Sequence, residues 1–319
     1  MSRGEPAETR PDHGGGVDGA ALRWGGARAE WLDLSTGINP CPYPVPPLPS
    51  EVWGCLPDER AEAALTKAAR DFWRVPAEAG VLAAPGASAL IARMPLLAPA
   101  GRVHIPGPTY NEHGRAFAAA GWQVTDRPEG ASAAVIVRPN NPDGRMPDLP
   151  DLPLVIVDES FCDTCPEASL IAEAARPGRL ILKSFGKFWG LAGLRLGFAI
   201  GDPALLAGLA QAMGPWPVSG PALAIGTVAL RDQTWAEATR ARLTRDAARL
   251  DALMKAARAE VVGGTPLFRL YQTGDAALWQ DRLARHRIWT RIFPYSRQWI
   301  RLGLPGTEAD WLRLEAALA

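Results

Sequence analysis

Six short apolar runs decide what this chain can fold into. They are Val81-Leu82-Ala83, Arg102-Val103-His104-Ile105, Ala134-Val135-Ile136-Val137, Leu154-Val155-Ile156-Val157, Leu180-Ile181-Leu182 and, less cleanly, Gly197-Phe198-Ala199-Ile200. Their apolar character is continuous rather than alternating, which suits strands buried on both faces of a parallel sheet. The segments between them, near 87–97 and 110–120, suit crossover helices, so the class is α/β. Residues 58–74 also predict a helix, because Ala61, Ala64, Leu65, Ala68 and Phe72 recur near a 3.6-residue period. After Pro215-Trp216-Pro217 the character changes. A long helix is expected over 233–258, then strands at Leu267–Tyr271, Ile288–Phe293 and Trp299–Leu302, and a final helix from 307. That pattern reads as a smaller α+β domain.

Ahead of the sheet, residues 1–30 are rich in glycine and charge and are expected to begin loosely ordered. Six prolines between Pro40 and Pro49 predict an extended connector, since proline fixes φ and restrains its predecessor. The polar start Met1-Ser2-Arg3-Gly4-Glu5-Pro6 is not that of a signal peptide, and no apolar run reaches the ~18 residues of a membrane span. With a formal net charge of zero, no global field recruits nucleic acid or an anionic membrane. The expected location is the cytoplasm. Cys162 and Cys165 form a C-x-x-C, but no second pair and no histidine cluster gives metal-ligand spacing. They read as reduced cysteines beside a strand end, with no metal site.

The chemistry centres on Lys187, in Ser184-Phe185-Gly186-Lys187. Of 34 basic residues only Lys67, Lys183, Lys187 and Lys255 are lysine. A lysine kept in an apolar, glycine-rich stretch of an arginine-rich chain suggests a task arginine cannot do. Lysine can lose its proton and form an imine. That points to pyridoxal phosphate (PLP), which also needs a phosphate cradle, a carboxylate on the pyridine nitrogen, a donor to the ring hydroxyl and a stacking aromatic. Pro85-Gly86-Ala87-Ser88 follows one strand and precedes a helix, so Gly86, Ala87 and Ser88 offer a cradle, completed by Ser184 and Arg195. Asp158 ends the Leu154–Val157 run, where open α/β sheets place ligands, and is the ring-nitrogen candidate. Asn141, in Arg138-Pro139-Asn140-Asn141-Pro142-Asp143-Gly144, is the hydroxyl donor and Tyr110 the stacking aromatic. Taken singly, these residues are equally at home as a turn, a helix cap and a packing tyrosine.

The order of these motifs resembles the fold-type I PLP enzymes. Within them it is similar to the aspartate-aminotransferase branch that includes histidinol-phosphate aminotransferase. The carriers are the Pro-Asn-Asn-Pro turn, Asp158-Glu159 at a strand end, and Ser184-x-x-Lys187 with Arg195 eight residues on. Further features resemble the L-threonine-O-3-phosphate decarboxylases of cobalamin biosynthesis. They are His13-Gly14-Gly15, Ser35-Thr36-Gly37-Ile38-Asn39-Pro40, Lys187-Phe188 with Gly193–Gly197, Pro215-Trp216-Pro217-Val218, and Ala229-Leu230 with Asp232 and Trp235. The resemblance implies a homodimer with a large PLP-binding domain over 50–215. The small domain would combine an arm, 1–49, with 216–319. It implies catalysis by Lys187 and Asp158. The substrate would be a phosphorylated amino acid, bound by His13, Asn39, Arg291 and Arg301, with Arg301 on the α-carboxylate. The implied reaction is decarboxylation, with transamination of histidinol phosphate or an aromatic amino acid as the alternative. Three departures matter. Phe161 stands where aminotransferases of this branch carry a tyrosine, as it does in the decarboxylases. Gly186 stands where relatives often carry Ser or Thr. The segment from Arg291 to Arg301 is short.

Overall fold

A computed structural model describes residues 13–319; Met1–Pro6 and the rest of the first twelve lie outside the described residues. A seven-stranded sheet forms its centre. In spatial order the strands are Gly80–Ala84, Gly197–Gly201, Arg179–Ser184, Leu154–Asp158, Ala133–Val137, Arg102–His104 and Gln123–Thr125. All run parallel except Gly197–Gly201, which is antiparallel to both its neighbours. All six predicted strands are present. The added one, Gln123–Thr125, is a partly exposed edge strand.

The continuous apolar runs have the physical meaning expected of them. In Ala133–Val137, Ala134 and Ile136 face one apolar cluster and Ala133 and Val135 the other. Val155 and Val157 likewise oppose Leu154 and Ile156. With side chains alternating across the sheet, only a sheet covered on both faces needs every position apolar. Each fully buried aliphatic of this kind is worth about 1.5–3 kcal/mol.

Helix Glu59–Trp73 opens on Asp58, whose carboxylate accepts from Ala61 N at 2.8 Å. The crossover at 87–97 is shorter than expected: a helix over Ala87–Ile91 gives way to a 3-10 turn at Met94–Leu97, where Pro95 cannot donate to a continuing helix. The other crossover is Asn111–Ala119. Residues 40–49 carry no helix or strand, in keeping with the proline run. The loose start expected of residues 1–30 falls outside the described residues; within them Val17–Trp24 is a helix that buries Val17 and Ala20 beside Trp31.

The C-terminal part keeps the expected order, with one strand divided and two elements added, strand Glu260–Thr265 and helix Ala276–Arg285. Helix Gln233–Ala256 is followed by an antiparallel sheet in the order Arg291–Phe293, Ser296–Gly303, Phe268–Gln272, Glu260–Thr265. The stretch Ile288–Phe293, read as one strand, is two. Ile288–Trp289 pairs in parallel with Leu32–Asp33, whereas Arg291–Phe293 joins the four-stranded sheet. The break falls at buried Thr290, whose carbonyl accepts from Gln280 Nε2 at 2.8 Å. No described helix is long and apolar enough to cross a membrane.

Candidate active site

Parallel strands bring their carboxyl ends to one edge of the sheet, and the predicted residues gather there. Ala87 and Ser88 follow Gly80–Ala84, Asn141 follows Ala133–Val137, and Asp158 and Ser184 end their own strands. Arg195 immediately precedes the antiparallel Gly197–Gly201. Ala87, Ser88, Tyr110, Asn141, Asp158, Ser184, Lys187 and Arg195 line an inner hollow of about 110 Å3. An outer cavity of about 350 Å3 shares Tyr110, Asn141, Phe161 and Lys187 with it. The outer cavity adds His13, Arg291, Arg301 and Tyr295.

Lys187 is presented by a rigid segment. Phe185, Phe188 and Trp189 around it are fully buried. Trp189 stacks on Phe185 at 5.0 Å and on Trp235 of the long helix at 5.3 Å. The amine stands 5.4 Å from the centre of the Phe161 ring. Burial, then the positive charges of Arg301 and Arg195, outweigh Asp158 and lower the ammonium to about 8. Lys183, four residues earlier, is in the opposite condition. Its amine sits 2.6 Å from Glu159 and 3.7 Å from Asp163. Burial alone would lower it, but the two carboxylates hold it well above the ordinary lysine value. Of the two, Lys187 is the one that can supply a neutral amine.

Asp158 is buried, and burial alone would favour its neutral form. Bonds from His113 Nε2 (2.8 Å), Ser160 Oγ (2.5 Å) and Ser160 N (2.9 Å) reverse this and hold the carboxyl below its usual range. The carboxylate therefore stays ionised at the inner end of the hollow. His113 Nδ1 is buried without a partner.

The cradle depends on Gly86, which has φ +88°; a Cβ there would lie 2.5 Å from Arg195 Nη2. Gly86 does not line the hollow itself; it makes room for the guanidinium. Arg195 sits in the left-handed region, φ 53°, and donates from Nη1 to Ala192 O at 3.0 Å. Ser184 Oγ accepts from Gly186 N at 3.3 Å, keeping its hydroxyl proton for a ligand. Tyr110 is pushed up to about 12 by burial and by Glu112 and Asp158, so its phenol keeps its proton. Asn140, buried, fixes the loops of Tyr110 and Asn141 together. Its amide donates to Pro108 O (3.0 Å) and Asp143 Oδ1 (2.8 Å) and accepts from Thr109 Oγ1 (2.6 Å).

Two arginines face each other at the outer wall. Arg291 and Arg301 are register partners across the hairpin, which turns tightly at Pro294-Tyr295. Buried Arg301 donates to Asn141 Oδ1 and to Ser35 O (2.6 Å), and its Nε has no partner. Burial first, and then Arg291, press against its charge. Like charges placed opposite one another are costly unless an anion joins them.

Asn39 requires a correction. Expected to bind substrate, it does not line the cavity. Its amide is engaged at both ends: Nδ2 donates to Phe188 O at 2.9 Å, while Oδ1 accepts from Cys41 N at 3.0 Å and Arg242 Nη2 at 2.6 Å. Its backbone N–H bonds Lys187 O at 3.0 Å. Asn39 therefore braces the lysine segment from behind. Cys162 and Cys165 are both free, and no cluster among the described residues could hold a metal. Sequence reasoning missed His113, Ser160 and Asn140. Their roles arise from partners distant in the chain or from ordinary turn chemistry.

The donor set fits pyridoxal phosphate: an ionised carboxylate at the inner end, a neutralisable amine beside it, a cradle of small residues with one arginine, and an aromatic wall. Residues 55–318 match the model of the family described as aminotransferase class I and II. The chain belongs to the class I and II aminotransferase family. Within it, the chain is similar to a threonine-phosphate decarboxylase of Sinorhizobium sp, 43% identical over 96% of this chain and 97% of the relative. A threonine-phosphate decarboxylase of Pseudomonas aeruginosa is 38% identical over 96% and 97%. In fold it is similar to the histidinol-phosphate aminotransferase of Sinorhizobium meliloti, solved in complex with pyridoxal-5'-phosphate. That match has a TM-score of 0.82 at 18% identity and covers 99% of this chain and 98% of the other.

Proposed function

We propose that this chain decarboxylates L-threonine O-3-phosphate to (R)-1-amino-2-propanol O-2-phosphate in cobalamin biosynthesis, with pyridoxal phosphate as cofactor. The observation that carries this is the facing pair Arg291 and Arg301 beside Lys187. An amino acid with two anionic groups needs two cations around one amine-handling residue. Relatives at 43% and 38% identity over nearly the whole length bear the matching name.

Lys187 would hold the cofactor covalently, Asp158 its ring nitrogen, and Ser88, Ser184 and Arg195 its phosphate. When bound, the cofactor supplies an electron-withdrawing ring that takes up the electron pair left as carbon dioxide departs. Arg301 would orient the α-carboxylate, and the apolar face that Phe161 gives the cavity favours loss of that charge. Lys187 Nζ or water would deliver a proton to Cα. Carbon dioxide measured from purified holoenzyme with threonine phosphate tests the reading. Keto-acid formation without carbon dioxide would support transamination instead.

Phe161 carries the choice of branch. Its ring edges Phe268 at 4.9 Å, beneath the Lys187 amine. In Phe161→Tyr the added hydroxyl reaches toward the cofactor's ring oxygen, as in the aminotransferases. Cofactor binding is expected to persist, with a modest rise in the fraction of turnovers that convert the cofactor to its amine form. An unchanged ratio of carbon dioxide to amine-form cofactor would remove Phe161 from this role.

The two arginines should separate by ligand. Arg301→Ala is expected to weaken threonine and threonine phosphate alike, since both carry the carboxylate. Arg291→Ala should hurt threonine phosphate more. A lost charge-assisted contact of this kind is worth roughly 2–5 kcal/mol. Both variants should stay yellow, because neither arginine lines the inner hollow. Spectral titration with each ligand decides; equal losses in Arg291→Ala would place the phosphate on other residues.

We place the chain in the cytoplasm as a homodimer. Four free cysteines, Cys55 exposed among them, suit a reducing compartment. Exposed Trp53, Leu56 and Trp216 line one open apolar hollow that a second copy would cover. A monomeric mass in analytical ultracentrifugation would overturn the dimer.

A further inference from the structure

Glu112 is an acid beside a site built for anions, and it lines neither the inner hollow nor the outer cavity. It is the second residue of helix Asn111–Ala119, two residues after Tyr110. Its carboxylate lies 3.0 Å from His13 Nε2 and accepts from Arg115 Nη1 at 2.9 Å. An acidic residue in a first helical turn is favoured by the macrodipole wherever it points. That preference does not require it to reach across to the N-terminal arm. Close to a substrate phosphate, a bare carboxylate would be repulsive. The repulsion is removed only if a donor stands between the two.

His13 is that donor. It lines the outer cavity, and its ring lies 5.9 Å from that of Tyr110. Its carbonyl accepts from Arg291 Nη1 at 3.3 Å, so the arm is tied to the same hairpin that carries the arginine pair. Two residues on, Gly15 N donates to Ser35 Oγ at 2.6 Å, and Ser35 O accepts from Arg301. The arm is thus fastened on both flanks of the cavity. With Nε2–H donated to Glu112, Nδ1 is the ring nitrogen left for a ligand, and it donates to a phosphate when the ring carries both protons. The charged and titratable groups around the ring are Glu112 with Arg115 behind it, Arg291 from the hairpin, and the Tyr110 phenol.

We infer that Glu112 is a specificity-determining positioning residue: it holds the His13 ring over the cavity so that the enzyme distinguishes a phosphorylated amino acid from its unphosphorylated counterpart. The inference rests on the proposed function for the identity of the phosphate. It goes beyond that reading in naming a residue that acts only through another. A carboxylate–imidazole contact fixes the orientation of the ring, as it does for histidine elsewhere.

The test uses holoenzyme carrying Glu112→Ala, Glu112→Gln, His13→Ala and the double variant His13→Ala with Glu112→Ala. Each is titrated spectrally with threonine phosphate and with threonine, and assayed for carbon dioxide. Glu112→Ala is expected to weaken threonine phosphate about tenfold, the scale of one charge-assisted hydrogen bond, while threonine binding and kcat stay within about twofold. Glu112→Gln should recover most of the loss, because an amide oxygen still accepts from Nε2. In the His13→Ala background, removing Glu112 should cost nothing further, since coupled residues are non-additive. Additive losses, or equal losses for both ligands, overturn the inference, as does a wild-type enzyme that binds the two ligands equally. Absence of carbon dioxide with the phosphate preference and the coupling intact would instead sink the decarboxylase reading alone.

Discussion

Lys187→Ala is expected to give colourless protein. The variant should lose the yellow absorbance of bound cofactor or hold it only loosely, borohydride should no longer fix cofactor to the chain, and carbon dioxide release should fall by about a thousandfold or more. The structure supplies a control in Lys183. It is as close to the strand end but paired with Glu159 at 2.6 Å, and its ammonium is held in the charged form. A charged ammonium has no lone pair to attack an aldehyde, so Lys183 cannot substitute for Lys187. Peptide mapping of borohydride-reduced wild-type enzyme checks this directly, and cofactor found on Lys183 would falsify the assignment. The lowered value for Lys187 adds a pH dependence. Its neutral fraction, and with it the rate of cofactor uptake by apoprotein, should rise tenfold per unit below about 8 and then level off. The stability sign is opposite to that of a salt-bridged lysine. Because the folded value lies below the ordinary lysine value of 10.5, the unfolded chain binds the extra proton between the two. Lys187 therefore costs the apoprotein stability below about pH 8, and that cost is relieved as pH rises towards 10.5.

How far the sequence reveals this site depends on how local each cause is. Leu154–Asp158 is legible because a strand buried on both faces must be apolar throughout, and the carboxylate that ends it must face the sheet edge. Gln123–Thr125 is not legible, since an edge strand with exposed Gln123 and Val124 has no such requirement. Ile288–Phe293 reads as one strand because periodicity records extended backbone and not the partner. The chain changes sheets at Thr290, a fact fixed by Leu32 and Asp33, more than 250 residues away. His113 looks like any residue of an amphipathic helix, and its partner Asp158 is 45 positions distant. Asn39 shows the converse. Its motif is visible, but a motif does not say which partners a side chain meets. Arg242, contributed by a helix 203 residues later, takes the oxygen that a substrate would have used.

Asp158→Asn is the second large effect. Asparagine has nearly the same shape, and its carbonyl oxygen can still accept from Ser160 N and Oγ, so the fold should survive. The new amide would face His113 Nε2, donor against donor if that nitrogen carries the proton. His113 Nδ1 is buried without a partner, so the ring can move its proton there and accept from the amide instead. Cofactor binding should also survive, because Lys187 and Arg195 are untouched. What is lost is the negative charge at the inner end of the hollow, the charge that His113 and Ser160 hold ionised against burial. Without it the ring nitrogen is not kept protonated and the electron sink weakens. Preorganised electrostatics of this kind are worth ~3–4 kcal/mol, so turnover should fall a few hundredfold in a variant that remains folded and yellow. Near-normal carbon dioxide release from such a variant would remove Asp158 from this role. His113→Phe probes the same charge from behind: it leaves the carboxylate in place but takes away its strongest donor. It should shift the cofactor's absorbance and cost less activity than Asp158→Asn. If the two variants cost equal activity, His113 would matter for more than the charge of Asp158.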